Sequence, residues 1–344
     1  MEKMFLIREA RPKDLAGVLE VARHLDSYNL PADRKIIRRI IAESQRSFRW
    51  KSHHDPRAKF LFVLEEPREG NIVGSSLIIA RHGTPELPHL ALRLGVERKK
   101  SRTLGTVVSH QTLKLVTSRR GYTELGGLVV LPHYRHHPQR LGKQLSYARF
   151  AYMAHRRWAF RESLLVEFRP KLNLTEGNDF WKELGGRFTG LSYHVADRLS
   201  ATNKEFALAL FPKEKIYCTL LSENARRDLD PARTMGAGEH MLEKIGFRFL
   251  GQVDPFDGGP HYGARFHRVS LVKKTRFYRF VKHTPTYQDI TRRSDLVMAP
   301  KEDGVRAVLS GAIERGGSVI LPVETISRLE LRPGDRFSMT PFNL

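Results

Sequence analysis

The sequence predicts a mixed α/β (α+β) fold, a sheet with flanking helices, followed by a small β-rich C-terminal module. Three observations carry this. Short β-branched or aromatic runs recur (Phe60–Glu65, Ile72–Ala80, Leu128–Leu131, Leu164–Phe168). Segments with apolar residues at helical spacing lie between them. After about residue 265 the texture shifts to short β-like pieces.

Taken in order, Met4–Glu9 reads as a first strand, and Pro12–Leu25 as a helix with Leu15, Val18, Leu19 and Ala22 on one face. Asn29-Leu30-Pro31 is a turn, and Asp33–Phe48 a basic amphipathic helix. Phe60–Glu65 and Ile72–Ala80 form a hairpin around Pro67–Asn71. Thr106–Val116 reads as a strand between basic loops. Leu128–Leu131 then ends at Pro132, a basic loop follows (Arg135-His136-His137-Pro138-Gln139-Arg140-Leu141-Gly142-Lys143), and Leu145, Ala148 and Tyr152 mark a helix. Leu164–Phe168 is a strand closed by Pro170. Phe180–Leu184 is a short helix ending at Gly185-Gly186, and Glu205–Leu210 and Ile216–Leu221 flank Pro212. Glu239–Lys244 is a helix stopped by Gly246, and Phe247–Val253 a strand entering the turn Asp257-Gly258-Gly259-Pro260. Val269–Val272, Val305–Leu309, Val319–Pro322 and Arg336–Met339 are the β-like pieces of the tail.

The 344 residues suit one large domain or two smaller ones, and 40% hydrophobic with 28% charged residues suits a globular protein with a sizeable core. One cysteine, Cys218, excludes an intramolecular disulfide and a cysteine-based metal cluster, so no metal site is expected and a reducing cytoplasm is. No signal peptide is visible, and no apolar run approaches the roughly 20 residues that span a bilayer. The net charge of +22 has three readings: nucleic-acid binding, a field drawing in a polyanionic small ligand, or a general basic bias without mechanistic content. Lys and Arg spread along the whole chain without a basic arm, which does not favour nucleic acid.

The junction of strand, basic loop and helix start is an anion site in outline. Free N–H groups and the dipole of a helix N-terminus favour negative charge, and Arg135, Arg140 and Lys143 add charge-assisted donors. N-acetyltransferase-like folds hold the pyrophosphate of an acyl-coenzyme A in this way. A solvated surface turn is the alternative.

Nearly the full length resembles the bacterial arginine N-succinyltransferase family. The matching residues include Asn29–Ala32, Phe62–Glu65, Leu104–Val108, Glu124–Pro132, Leu145–Phe150, Phe180-Trp181, Leu184-Gly185 and Asp197. Met241–Phe249 (MLEKIGFRF), the ungapped Val253–Pro260 (VDPFDGGP) and Leu331–Arg336 (LRPGDR) continue the match. The resemblance implies an N-acetyltransferase-like domain over 1–264 and a small β-barrel-like module over 265–344. It implies succinyl transfer from succinyl-coenzyme A, a substrate rather than a bound cofactor, to the α-amine of arginine or of an ornithine-like amine. It also matches Leu128 to a position whose main chain binds the donor.

Two departures stand out. The family's pyrophosphate loop is shorter and richer in glycine, whereas here Gly142 is its single glycine and Pro138 removes a donor. The family's proton-donating His, in a His-Pro pair, is replaced by Asp230-Pro231, or by Ala232 if a gap is allowed. Carboxyls titrate near pH 3.9 and imidazoles near 6.5. Asp230, among Arg226, Arg227 and Arg233, is thus expected to stay ionised and orient a cationic acceptor, and His240 is the substitute for proton transfer.

Amide formation from a thioester needs a neutral amine, donors for the oxyanion, and a proton or positive field for the departing thiolate. Backbone N–H groups from Leu128 to Val130 are the oxyanion donors expected by this logic. Glu124, Glu167, Asp254 and Asp257 are the carboxylates for a guanidinium, and Arg135 or Arg169 the cation for the succinyl carboxylate. The competing reading is a catalytically impaired relative that binds coenzyme A or nucleic acid. Homo- or hetero-oligomerisation stays open.

Overall fold

The computed structural model describes residues 4–25, 29–50, 55, 57–169, 178–231, 236–281, 294–315 and 318–343. In chain order the strands are β1 (Leu6–Glu9), β2 (Lys59–Glu65), β3 (Ile72–His82), β4 (His89–Ser101), β5 (Thr106–Ser118), β6 (Tyr122–Val130), β7 (Ser163–Glu167) and β8 (Ile216–Tyr217). They continue with β9 (Arg248–Val253), β10 (Pro260–Arg265), β11 (Arg276–Arg279), β12 (Ser294–Pro300), β13 (Val305–Gly311), β14 (Ile313–Arg315), β15 (Ser318–Ile320) and β16 (Arg336–Pro341). The helices are α1 (Leu15–Arg23), α2 (Arg34–Arg49), α3 (Leu141–His155), α4 (Asp179–Glu183), α5 (Gly185–Thr189) and α6 (Tyr193–Ser200). After them come α7 (Glu205–Leu210), α8 (Glu223–Arg227), α9 (Ala237–Lys244), α10 (Ser270–Lys274) and α11 (Val323–Leu329). Among the described residues no helix is long and apolar enough to cross a membrane.

The chain forms two compact units. The first comprises Met1–Arg81, Thr123–Glu162 and Arg265–Leu344, the second His82–Tyr122 and Ser163–Ala264. In the first unit the strands run β11-β16-β12-β13-β1-β2-β3-β6. The β2–β3 hairpin has the expected register, Lys59 opposite Ile79. The C-terminal strands extend the sheet through the antiparallel β1–β13 pair. Helix α2 forms because Asp33 caps it, accepting from the N–H groups of Lys35 and Ile36 at 2.8 and 2.9 Å. Its buried face is Ile37, Ile40, Ile41, Ser44 and Phe48, at the spacing of one helical stripe. Arg8, 2% exposed, is held by Asp14 and Glu65, each at 2.7 Å.

Helix α3 is buried nearly all round, including Leu145, Ala148 and Tyr152. It therefore carries its polar Gln144, Ser146 and Arg149 inside the unit.

In the second unit the order is β7-β10-β9-β4-β5-β8. Its core gathers Leu90, Leu92, Leu113, Phe180, Trp181, Phe211, Val253 and Phe256. Two sequence expectations change. Strand β4 pairs with β5 along its whole length, from His89 opposite Ser118 to Ser101 opposite Thr106. Its charged second half, Glu97–Lys100, reads as a basic loop because it faces solvent. Val269–Val272, read as β-like, supplies the N-cap and the first residues of the one-turn helix α10, where tertiary packing outweighs the preference of valine for strands.

Candidate active site

Strand β6 leads through a 3₁₀ turn (Pro132–Tyr134) into the basic loop and α3. The loop is built by unusual backbone. His136 and Arg140 sit at φ +60° and +52°, left-handed values that cost non-glycine residues. Arg140 is the N-cap of α3, and its carbonyl accepts from Lys143 N–H at 2.9 Å and Gln144 N–H at 3.1 Å. The N–H groups of Leu141 and Gly142 precede the helix's own ladder. Around them lies a cavity of about 510 Å³ lined by Val130, Tyr134, Arg135, His136, His137, Pro138, Arg140, Leu141, Gly142 and Lys143. Its size is that of small-molecule sites. The structure thus gathers the predicted Val130, Arg135, Arg140, Gly142 and Lys143 around one hollow.

Two of the cations have local work as well. Arg135 Nε donates to the Val130 carbonyl at 3.2 Å, and Lys143 Nζ stands 4.5 Å from the Phe342 ring centre and 5.1 Å from that of Tyr147. Gly142 is not demanded by packing, since a Cβ there meets only Val130 Cγ2 at 4.0 Å.

On β6, Gly127 adopts φ +58°, a left-handed residue within the strand beside the half-buried Leu128. Glu124 is 1% exposed and accepts a short hydrogen bond from Asn29 Nδ2. Arg149 was not foreseen. It is 2% exposed, and its guanidinium donates to Ser146 Oγ at 2.9 Å and, at 3.4 Å, to the carbonyls of Ser146 and Gly126. Burial pulls it down to about 9. No carboxylate pairs with it among the described residues. A lone cation within the apolar run Leu145–Met153 was the available signal.

In the second unit Glu167, Asp254 and Asp257 come together. VDPFDGGP is a tight turn. Asp254 Oδ1 accepts from Phe256 N–H at 2.7 Å and Asp257 N–H at 3.1 Å, and Asp257 Oδ1 accepts from Gly259 N–H at 2.7 Å. Arg169, also foreseen as a cation, lies 3.6 Å from Asp197 and 3.9 Å from Asp257. Burial lifts Asp257 to about 7 against the opposing pull of Arg169. Burial, then the neighbouring Asp257 and Glu167, raises Asp254 well above the carboxylate range. Tyr193, which sequence reasoning missed, has a buried hydroxyl without a hydrogen-bond partner in the described structure. Burial and the charges of Asp257 and Asp197 push its phenol upward.

Glu167 meets three histidines that sequence reasoning also missed. Its Oε1 is 3.4 Å from His89 Nδ1 and 3.8 Å from both His82 Nε2 and His261 Nε2. Burial raises Glu167, but the imidazoles of His261, His89 and His82 outweigh it and hold the carboxyl well below its usual range. Burial in turn lowers His89.

Asp230 and His240 are both exposed, Asp230 after α8 and His240 on α9, whose first turn Glu239 closes by accepting from Gly236 N–H at 3.0 Å. Ala232 and Arg233 lie outside the described residues. Chemically, then, the molecule offers an anion hollow in its first unit, and a carboxylate-rich cluster suited to a cation in its second.

Comparison with known proteins follows the same lines. The family model described as arginine N-succinyltransferase beta subunit matches residues 5–271. The arginine N-succinyltransferase of Enterobacter sp. (strain 638) is 30% identical over 336 residues, covering 96% of each chain. That of Citrobacter koseri is 29% identical over 343 residues, covering 97% of this chain and 96% of its own. The solved structure of arginine/ornithine succinyltransferase subunit AI from Pseudomonas aeruginosa superposes with a TM-score of 0.82 at 25% identity, over 99% of this chain and all of that one. The fold, the basic turn and these matches lead to one conclusion: the chain belongs to the arginine N-succinyltransferase family.

Proposed function

We propose that this protein transfers the succinyl group of succinyl-coenzyme A to the α-amine of arginine, or of ornithine, in arginine catabolism. The observation that carries the reading is the end-to-end similarity to arginine N-succinyltransferases, with a basic hollow at the start of α3. In this reading Arg135, Arg140 and Lys143, with the first N–H groups of α3, hold the donor's phosphates. Gly142 lets the backbone approach them. The β6 main chain from Leu128 to Val130 donates to the thioester oxygen as it becomes an oxyanion.

Arg149 receives the succinyl carboxylate. A buried guanidinium lacking a carboxylate gains most from an anionic ligand, which makes it a better candidate than Arg135 or Arg169. Asp254 and Asp257 receive the acceptor's guanidinium. Glu167, already answered by three imidazoles, supports them, and Glu124 orders Asn29 beside β6. The neutral α-amine attacks the thioester carbon, the C–S bond breaks, and the thiolate leaves with a proton that His240 relays. Asp230 orients the acceptor's positive end. The buried Cys218 suits a reducing cytoplasm, and assembly with further subunits is part of the proposal.

A thiol-release assay with succinyl- and acetyl-coenzyme A against arginine, ornithine and lysine tests it. Turnover with succinyl-coenzyme A and arginine or ornithine, at higher kcat/KM than with acetyl-coenzyme A, is expected. Absence of thiol release with every basic amino acid would remove the reading.

A further inference from the structure

We propose that His82, His89 and Glu167 form a binding site for a divalent transition-metal ion of the Zn²⁺ class. The site lies wholly within the second unit and shares Glu167 with the carboxylate cluster. Against the expectation of no metal, three lone-pair atoms converge there: His82 Nε2, His89 Nδ1 and Glu167 Oε1. Their separations are 3.1, 3.4 and 3.8 Å. A point equidistant from three atoms so spaced lies about 2 Å from each, the usual Zn–N and Zn–O length. A hydrogen bond between the two imidazoles accounts for the 3.1 Å contact alone. The Glu167 oxygen facing both nitrogens fits a hydrogen bond from His89 as well as a shared metal ion, and metal titration separates the two.

The backbone is built to hold this pair. Gly83, at φ +85°, begins the turn between β3 and β4, and a Cβ there would come within 2.9 Å of His89 Cβ and 3.0 Å of Ser118 O. Thr84 and Leu87 close the same turn, N–H to carbonyl at 2.9 Å and N–H to Oγ1 at 3.1 Å. His89 is 3% exposed, and burial favours its neutral, ligating form. Its Nε2, buried without a hydrogen-bond partner, is the nitrogen turned away from the cluster.

Two imidazoles and one carboxylate select Zn²⁺ and similar borderline ions over Ca²⁺ or Mg²⁺, and three protein ligands leave a position open. His261, also close to Glu167 Oε1, flanks the site.

The full-length protein, stripped with EDTA and dialysed, is titrated with Zn²⁺ by calorimetry, with metal content measured after gel filtration. One Zn²⁺ per chain and a raised Tm are expected. His82→Ala and His89→Gln should each weaken Zn²⁺ binding at least about tenfold, while His24→Ala should not change it. Where a variant does not fold, Co²⁺ replaces it as the probe: visible bands of tetrahedral Co²⁺ in the wild-type chain, displaced by one equivalent of Zn²⁺, support the site. No stoichiometric uptake, no such Co²⁺ bands, or uptake unchanged in both histidine variants overturns it.

Discussion

Two turns stand out in the sequence, the ungapped Val253–Pro260 and the basic loop that departs from the family pattern, and they spend their residues in opposite ways. In the second unit, Val253–Pro260 turns inward. Both of its aspartates accept backbone N–H groups of the same turn, Asp254 N–H donates to the Gly259 carbonyl at 2.7 Å, and Gly258 takes φ +78°. In the first unit, the loop from Pro132 to Lys143 turns outward. It holds His136 and Arg140 in left-handed backbone, leaves the first N–H groups of α3 outside the helical ladder, and frames a hollow. Backbone strain of this kind costs about 1–3 kcal/mol per residue and persists where something else is gained. A compact signature can thus be held by its own hydrogen bonds, while a longer, less regular loop leaves its donors turned outward.

The largest effect expected from this contrast is at Gly259. A Cβ there would stand 2.0 Å from the Phe168 carbonyl oxygen and 2.8 Å from Asp257 Oδ1. Gly259→Ala should therefore cost about 3 kcal/mol or more of stability, read as a lowered urea midpoint. An unchanged midpoint would mean that the turn has slack the contrast denies.

Next comes Arg149. Replacing this buried charge, which has no ionic partner among the described residues, by Met should leave stability unchanged or raise it. If the residue receives the succinyl carboxylate, preference for succinyl- over acetyl-coenzyme A should fall by about 1.5–3 kcal/mol, roughly 10- to 150-fold in the ratio of kcat/KM. A stable variant with the wild-type ratio would show that the carboxylate is read elsewhere.

A third test concerns protons in the second unit. Asp257, lifted to about 7 in the fold from an ordinary 3.8, binds its proton more tightly when folded. Its contribution to stability is thus present below about pH 4 and lost as pH rises through 7. Glu167, held well below 4.5, contributes with the opposite sign, and its share is lost at acid pH. Between pH 5 and 7 the slope in EDTA-treated protein combines a fall from the acid pair with a rise from buried His89 and His155, both lowered from 6.5 (His155 to about 4), so Asp257→Asn should remove the falling part. Arginine binding should also release a fraction of a proton near pH 6.5, seen as a buffer-dependent enthalpy. Identical enthalpies in phosphate and Tris would separate the acceptor from these acids.

Much of the fold was legible because its signals are local. The stripe of α2, the β2–β3 hairpin and the β6–turn–α3 junction all lie within continuous segments. What escaped depends on distant partners. The outer half of β4 is a strand because β5 lies beside it, although Glu97–Lys100 is charged. Arg149 reads as one more basic residue until the helix around it is buried on all sides. His82 and His89 meet only because Gly83 reverses the chain between them, and Glu167 and His261 arrive from other strands. The resemblance points to Asp230, with His240 on the following helix as its substitute, but burial, which distinguishes most perturbed groups, is absent from both.

The smallest effect is the most discriminating. Gly142 lies in the first turn of α3, and a methyl group added there would meet only Val130 Cγ2, at an ordinary 4.0 Å. The fold does not need glycine at this point, in contrast to Gly259. Gly142→Ala should therefore leave stability unchanged or raise it by up to about 1 kcal/mol, the difference in helix propensity between the two residues. If the N–H groups at the start of α3 approach a phosphate closely, the same methyl group stands in the ligand's path. Calorimetric affinity for coenzyme A should then fall severalfold while the melting temperature holds or rises. Thermal melts and titrations of one variant thus separate a glycine kept for a ligand from one kept for the fold, and unchanged affinity would move the donor's phosphates away from Gly142.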